Sequence, residues 1–273
     1  MFSIVILTHN EQIDIEACIR SVAWADDVLV FDSFSTDRTA EIALNCGARL
    51  MRHKFEDYAS QRNAALALGQ FRHEWVFMLD ADERFTPELR EEIEEALCRQ
   101  PHEHVLYRVR RKDYLNGIWI RGSSGYPTWF GRLIRRGQVN ICRTINEQYV
   151  PLGSVGFLNE HVVHFPFSKG TARWLARHND YSSLEAQTLG AERQGPVPWR
   201  SLVSPDPAER RTALKKLYYR VPARPLLIFI YLYIIRMGFL EGRSGLYFAS
   251  LRMTYEIMIN VKYWLGEHKP PDR

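Results

Sequence analysis

Apolar positions along the first hundred residues follow two spacings. Short continuous runs, S-I-V-I-L-T at Ser3–Thr8, V-L-V-F at 28–31, A-R-L-M at 48–51 and W-V-F-M-L at 75–79, read as buried strands. Between the first two runs, Ile15, Cys18, Ile19 and Val22 recur at i, i+3, i+4 and i+7, the buried face of a helix. A second helix is predicted over 36–47, with Thr36 or Asp37 able to cap it and Gly47 where a left-handed residue belongs. A third is predicted over 57–68, ended by Gly69. Thr86-Pro87-Glu88 then opens an acidic fourth helix with cap, first-turn proline and dipole partner in order. This alternation predicts an α/β fold, a doubly wound and mainly parallel sheet covered on both faces, which binds ligands outside the carboxyl ends of its strands.

The polar residues at those ends are Thr8-His9-Asn10-Glu11, Asp32-Ser33 and Asp80-Ala81-Asp82-Glu83. Singly, Asn10 reads equally well as a helix cap and Asp32 as a turn residue, while His9 reads as a packing or turn residue. Jointly, carboxylates brought together by topology mark a site. Doubly wound domains often hold nucleotides on glycine-rich loops, but Gly47 and Gly69 are the only glycines in the first hundred residues. Neither a dinucleotide fingerprint nor a P-loop can be written, which excludes ordinary dinucleotide dehydrogenases and P-loop NTPases. Asp80-Ala81-Asp82 supplies another device. Two hard oxygen ligands after an apolar strand suit Mg²⁺ or Mn²⁺, which accepts carboxylates together with substrate phosphates.

These residues resemble glycosyltransferase family 2 enzymes of the GT-A fold. The motifs are S-I-V-I-L-T-H-N-E at the start, D-S-F-S-T-D-R-T-A-E-I-A at 32–43, Q-R-N-A-A at 61–65 and M-L-D-A-D-E at 78–83. W-A-D-D-V-L-V-F-D-S-F-S-T-D, the later G-R-L-I-R-R and the tail G-F-L-E-G-R-S-G are similar to bacterial lipopolysaccharide-core β-glucosyltransferases. The resemblance implies that Thr8, Asn10 and Glu11 line the nucleoside, that Asp32 bonds the uracil edge and that Arg62 reaches the base or diphosphate. It places Asp80 at the ribose side and the metal, and Asp82 on the metal.

From 101 to 166 the chain turns β-rich, aromatic and basic, with V-L-Y-R-V-R-R at 105–111, Tyr114, Trp119, Tyr126, Trp129 and the G-R-L-I-R-R segment. Aromatic faces stack on sugars and arginine forks pair with phosphate or carboxylate, so an acidic or phosphorylated glycan acceptor is expected here. An inverting transfer needs a carboxylate to take the acceptor's proton. Asp113, Glu147 and Glu160 are candidates, and the resemblance favours Glu147 in T-I-N-E. His164 is read either as a third metal ligand or as a buried core histidine, and His161 is a weaker candidate. A helix over 171–189 is expected to close the catalytic domain, and the proline-rich stretch near 196–207 reads as a linker.

Composition moves the picture mainly at the tail. The net charge is +4, yet from Arg200 onward 13 Lys and Arg face only 6 Asp and Glu. The apolar run 225–235 is far shorter than the roughly 20 residues a spanning helix needs. Lys215, Lys216, Arg220 and Arg224 precede it, and Arg236, Arg243, Arg252 and Lys262 follow. A basic amphipathic helical tail lying on an anionic membrane surface is therefore expected. The chain opens directly on a strand with no signal-peptide pattern, which predicts a peripheral protein on the cytoplasmic face of the inner membrane. Cys18, Cys46, Cys98 and Cys142 form no metal or redox pair and are expected as reduced core residues. The resulting division is 1–100 for the nucleotide-sugar half, 101–195 for the acceptor and catalytic half, and 196–273 for linker and tail. The expected activity is metal-dependent, inverting transfer of a sugar, glucose first, from a UDP-sugar to a cell-surface glycan such as lipopolysaccharide core. Alternatives are a sugar-1-phosphate nucleotidyltransferase, whose glycine-rich basic loop is missing from this N-terminus, and a non-catalytic nucleotide-sugar-binding protein. Nucleic acid is not expected as a partner.

Overall fold

A computed structural model describes residues 1–98, 104–142, 148–194, 199–203, 213, 217–221 and 223–266. They divide into two compact units, one of residues 1–119 and 126–169, the other of residues 120–125 and 170–273. The helix expected over 171–189 runs over Gly170–Gln194 and belongs with the second unit, so the boundary falls at residue 169 and not at 195.

In the first unit the order is β1 (Ser3–Thr8), α1 (Ile15–Ser21), β2 (Val28–Asp32), α2 (Thr39–Asn45), β3 (Arg49–Arg52), α3 (Tyr58–Leu68), β4 (Trp75–Asp80), β5 (Glu83–Arg84) and α4 (Pro87–Cys98). There follow β6 (His104–Leu115), β7 (Ile118–Trp119), β8 (Trp129–Arg135), β9 (Val139–Cys142), β10 (Gln148–Pro151) and β11 (Ser154–His164). The main sheet runs β3-β2-β1-β4-β8-β6-β11-β5. Strands β3, β2, β1 and β4 are parallel, as are β6 and β11, while β8 pairs antiparallel with both β4 and β6. The fold is thus mixed α/β with a mostly parallel central sheet. Its apolar runs are continuous because both faces are covered. Ile4, Ile6, Phe77 and Leu79 pack with Ile15, Cys18, Ala43, Leu89 and Ile93 on one face, and Val5, Leu29, Val76 and Met78 with Ala59 and Ala65 of α3 on the other.

Local chemistry sets the helix ends. Helix α2 starts three residues later than expected, with Arg38 at its N-cap and no side-chain cap, while Asp37 in the preceding turn accepts the Thr39 N–H at 3.0 Å. Gly47 is left-handed at φ +80°, as expected. Gly69 is not left-handed. A Cβ there would lie 2.5 Å from the Phe71 ring, so glycine is needed for space. Of the four cysteines only Cys18 is buried; Cys46 and Cys142 are partly exposed and Cys98 is exposed, which corrects their reading as core residues.

The second unit is helical. Helix α5 (Gly170–Gln194) packs on α7 (Gly242–Trp264) through Ala186, Leu189, Tyr255 and Ile259, and α6 (Arg224–Ile230) continues through a π-turn, Tyr231–Ile235. Arg224 does not face outward as the sequence suggested. It is fully buried, with Nε 2.8 Å from Glu256 Oε2 and Nη2 donating to Asn260 Oδ1 at 2.8 Å, because α6 is clamped to α7 by this pair. Lys215 and Lys216 lie outside the described residues.

Candidate active site

The carboxyl ends of β1, β2 and β4 are tied together by their own polar residues. Asp32 is wholly buried, and its carboxylate accepts hydrogen bonds from Thr8 Oγ1 at 2.9 Å and from the Ser35 N–H at 2.9 Å. Asn10 is left-handed at φ +56°; its N–H donates to Ser35 Oγ, and its Oδ1 accepts the Thr36 N–H, both at 2.8 Å. The residues expected to line the nucleoside therefore knit the β1–α1 loop to the β2–α2 loop. His9 is a turn residue with Nδ1 3.0 Å from the Ser33 carbonyl.

At the end of β4, Arg62 and Arg132 take the two oxygens of Asp80, at 3.0 and 2.9 Å. Arg132 also bonds Glu83 at 2.6 Å, and the other Glu83 oxygen accepts the Asp80 N–H at 3.1 Å. Burial alone would raise the Asp80 pKa, but Arg132 and Arg62 outweigh it and hold the carboxyl well below the usual range. Burial pushes Glu83 up, against Arg132. Asp80, expected beside the ribose and on a metal, is thus the acceptor of two guanidinium groups in this structure, and Arg62 faces Asp80.

Asp82 is turned toward β11. Only 14% of its side chain is exposed, with Oδ2 3.3 Å from His164 Nε2. The cause is register. The two-residue strand β5, directly after Asp-Ala-Asp, pairs antiparallel with the end of β11, placing His164 opposite Glu83, and the Phe165 N–H donates to the Asp82 carbonyl at 2.9 Å. Parallel pairing of β6 with β11 sets His164 opposite Asp113, whose Oδ1 lies 2.6 Å from His164 Nδ1 and 3.0 Å from Arg111 Nε. Burial and Arg111 oppose charge on His164, but Asp82 and Asp113 outweigh them and pull its pKa up to about 9.

Asp82 and His164 fit a divalent metal. A hard carboxylate and an imidazole nitrogen face each other, a cation between them would displace the proton on Nε2, and Asp113 fixes the ring through its second nitrogen, the usual support of a metal-bound histidine. Among the described residues no three His, Cys, Asp or Glu side chains form a cage, so the remaining ligands would come from substrate and water.

Of the candidate bases, Glu147 lies outside the described residues. Asp113 is engaged with His164 and Arg111, and Glu160 lies 3.3 Å from His161. One residue beyond Asp113 and His164, Tyr114 and Phe165 wall a cavity of about 430 Å³ with Asp14, Arg84 and Phe167. On β6, Arg108, Arg110 and Lys112 stand over Phe157, Trp129 and Trp119, respectively, at 5.9, 5.6 and 4.6 Å from the ring centres.

Sequence reading missed Lys169, gave Glu83 no role of its own, and put Arg132 on the acceptor face and not against Asp80 and Glu83. Arg132 carried a signal, being a charge within the apolar strand W-F-G-R-L-I-R. Lys169 carried none, since its Nζ meets Asn10 O at 3.2 Å and the Glu11 carboxylate across 158 residues of chain. Burial pushes the Glu11 carboxyl up to about 7, against the pull of Lys169. The folded value exceeds the ordinary 4.5, so Glu11 favours the folded chain most below pH 4.5, and that contribution is lost as pH rises through 7. Lys169→Met should move the Glu11 midpoint, read by side-chain ¹³C NMR, further up. A midpoint falling back toward 4.5 would contradict the pairing.

Comparison with known proteins gives the family. Lipopolysaccharide core biosynthesis glycosyltransferase LpsC of Rhizobium meliloti is 28% identical over 90% of this chain and 88% of its own. An uncharacterized glycosyltransferase of Rickettsia felis is 39% identical over 67% of this chain and 68% of its own. Among solved structures, S. aureus TarS 1–349 overlaps 97% of this chain and 91% of its own, with 14% identity and a TM-score of 0.46. The model of glycosyl transferase family 2 matches residues 3–151, more than half of the chain, and the protein is a glycosyltransferase belonging to that family.

Proposed function

We propose that this glycosyltransferase moves a hexose, glucose as first choice, from a UDP-sugar to a bacterial cell-surface glycan such as lipopolysaccharide core, with inversion. It would work as a peripheral protein on the cytoplasmic face of the inner membrane. The observation that carries the reading is the Asp82–His164 pair, oriented by Asp113 and set at the end of β4 beside the Arg62–Asp80–Arg132–Glu83 quartet. Full-length similarity to LpsC supports the glycan class.

Mg²⁺ or Mn²⁺ held by Asp82 and His164 would neutralise the diphosphate leaving group. The chain does the rest. Thr8, Asn10, Glu11 and Asp32 hold the two loops in the shape that receives the nucleoside, and Arg62 keeps Asp80 ionised at the ribose side. Tyr114 and Phe165 offer ring faces to an acceptor sugar. The cationic side of β6, Arg108, Arg110 and Lys112 among aromatic rings, favours an acceptor bearing phosphate or carboxylate. Deprotonation of the acceptor hydroxyl falls to Glu147. Asp113 suits that role poorly because it already accepts from His164, and Glu160 because it faces His161.

Asp82→Asn should lower turnover at least about 10²-fold, a loss in the range of one missing electrostatic contact to a transition state, in a variant that still melts cooperatively at a lower temperature, because the His164 pair is lost. Calorimetric binding of UDP should require Mg²⁺ or Mn²⁺ in the native protein and lose that dependence in the variant. UDP binding that is indifferent to EDTA would overturn the metal reading.

Glu147→Gln should keep UDP affinity and lower kcat by about 10²–10⁴, the usual size of general-base catalysis. Asp113→Asn should instead weaken metal-dependent UDP binding. An unchanged kcat in Glu147→Gln, beside a lost kcat and intact UDP binding in Asp113→Asn, would transfer the base to Asp113.

A further inference from the structure

The second unit is built inside out at one end. Between Arg224 and Leu240 there is no acidic residue, and Leu226, Leu227, Ile230, Tyr231, Ile234, Ile235, Met237, Phe239 and Leu240 are all exposed, Ile235 by 66% and Leu240 by 72%. Only Arg224, Leu232 and Gly238 of this stretch are buried. The polar groups point inward. The Glu241 carboxylate accepts the Gly122 N–H and, at 2.6 Å, the Ser123 hydroxyl, which also reaches the Gly245 carbonyl at 3.2 Å.

This end is also rigid. A Cβ on Gly238 would lie 2.3 Å from Ser123 Oγ, one on Gly245 2.0 Å from the Gly238 carbonyl, and one on Gly122 2.2 Å from the Arg236 carbonyl. Three backbones meet where no side chain fits, and the apolar side chains are left outside. Helix α6 with its π-turn and the following segment through α7 are bent by 73° at Met237, which is left-handed at φ +57°. No single described helix is long and apolar enough to cross a membrane. The arm Arg224–Ile235 rises about 18 Å at 1.5 Å per residue, short of the roughly 30 Å of a hydrocarbon core.

We propose that residues 226–240 are a monotopic anchor, a preformed apolar tip that enters one leaflet of an anionic bilayer and turns back at Met237. Charge and aromatic placement choose this occupant. Tyr231 and Tyr247 are exposed in the tip and in the first turns of α7, by 44 and 60%, with Arg243 exposed at the start of that helix, the mixture found at the headgroup level of membranes. A rigid apolar tip adds to basic attraction a term that salt does not screen, because burial of apolar area does not depend on ionic strength. The anchor takes its biological sense from the proposed lipid-borne acceptor, but its binding is read without donor or acceptor, so the two readings can fail separately.

The test is flotation of the full chain with vesicles of phosphatidylethanolamine and phosphatidylglycerol, at low salt and after a wash at high salt. Native protein should float and remain bound through the wash. The triple variant Ile234→Ser, Ile235→Ser, Leu240→Ser should float at least tenfold less, with an unchanged melting curve and unchanged UDP binding. Native protein that stays at the bottom of the gradient, or a folded triple variant that floats equally well, overturns the proposal. So does a native dimer that ignores vesicles and becomes a monomer in the triple variant, which would assign the face to a second copy.

Discussion

Arg132 lies in the middle of strand β8 with 4% of its side chain exposed, and bonds Asp80 at 2.9 Å and Glu83 at 2.6 Å. A guanidinium so placed is costly unless its partners are well oriented, and the buried Glu83 carboxylate beside Asp80 is costly without it. Arg62 supplies the second cation, so two guanidinium groups face two carboxylates and the quartet is balanced. Asp82, two residues further on, is then left outside the quartet and turned toward His164. Its side chain is 14% exposed, against 30% for Asp80, and faces the imidazole.

That separation depends on strand order. Antiparallel pairing of β8 with β4 sets Leu133 opposite Phe77 and brings Arg132 beneath the Asp-Ala-Asp turn. Pairing of β5 with β11 and of β11 with β6 places His164 between Asp82 and Asp113. The first pairing makes the carboxylates of the turn unequal, and the other two equip Asp82 with an oriented imidazole. Neither is local in sequence; both follow from the return of a long β-rich segment to the edge of a βα-wound sheet.

The first hundred residues were legible because their cues are local. Continuous apolar runs, left-handed Gly47 and the proline opening α4 each report their own neighbourhood. The strand end bearing Asp80 and Asp82 was legible for the same reason. What the two carboxylates do was not, because Asp80 differs from Asp82 only through Arg62 and Arg132, 18 and 52 residues away. His164 was left between metal ligand and core histidine because the Asp113 that orients its ring is 51 residues distant. Arg224 was misread for a related reason. A basic residue before an apolar run suggests a lipid-facing charge, but the Glu256 that buries it lies two turns from the end of another helix.

The central claim is that Asp82 and His164 together hold the metal that receives the diphosphate. Pulsed electron paramagnetic resonance of the protein with Mn²⁺ and UDP tests it most directly, because a coordinated imidazole nitrogen modulates the Mn²⁺ signal. The account predicts a nitrogen modulation that is present in the native ternary complex and absent in His164→Ala. A native complex in which UDP and Mn²⁺ are bound and no nitrogen modulation is seen would contradict it.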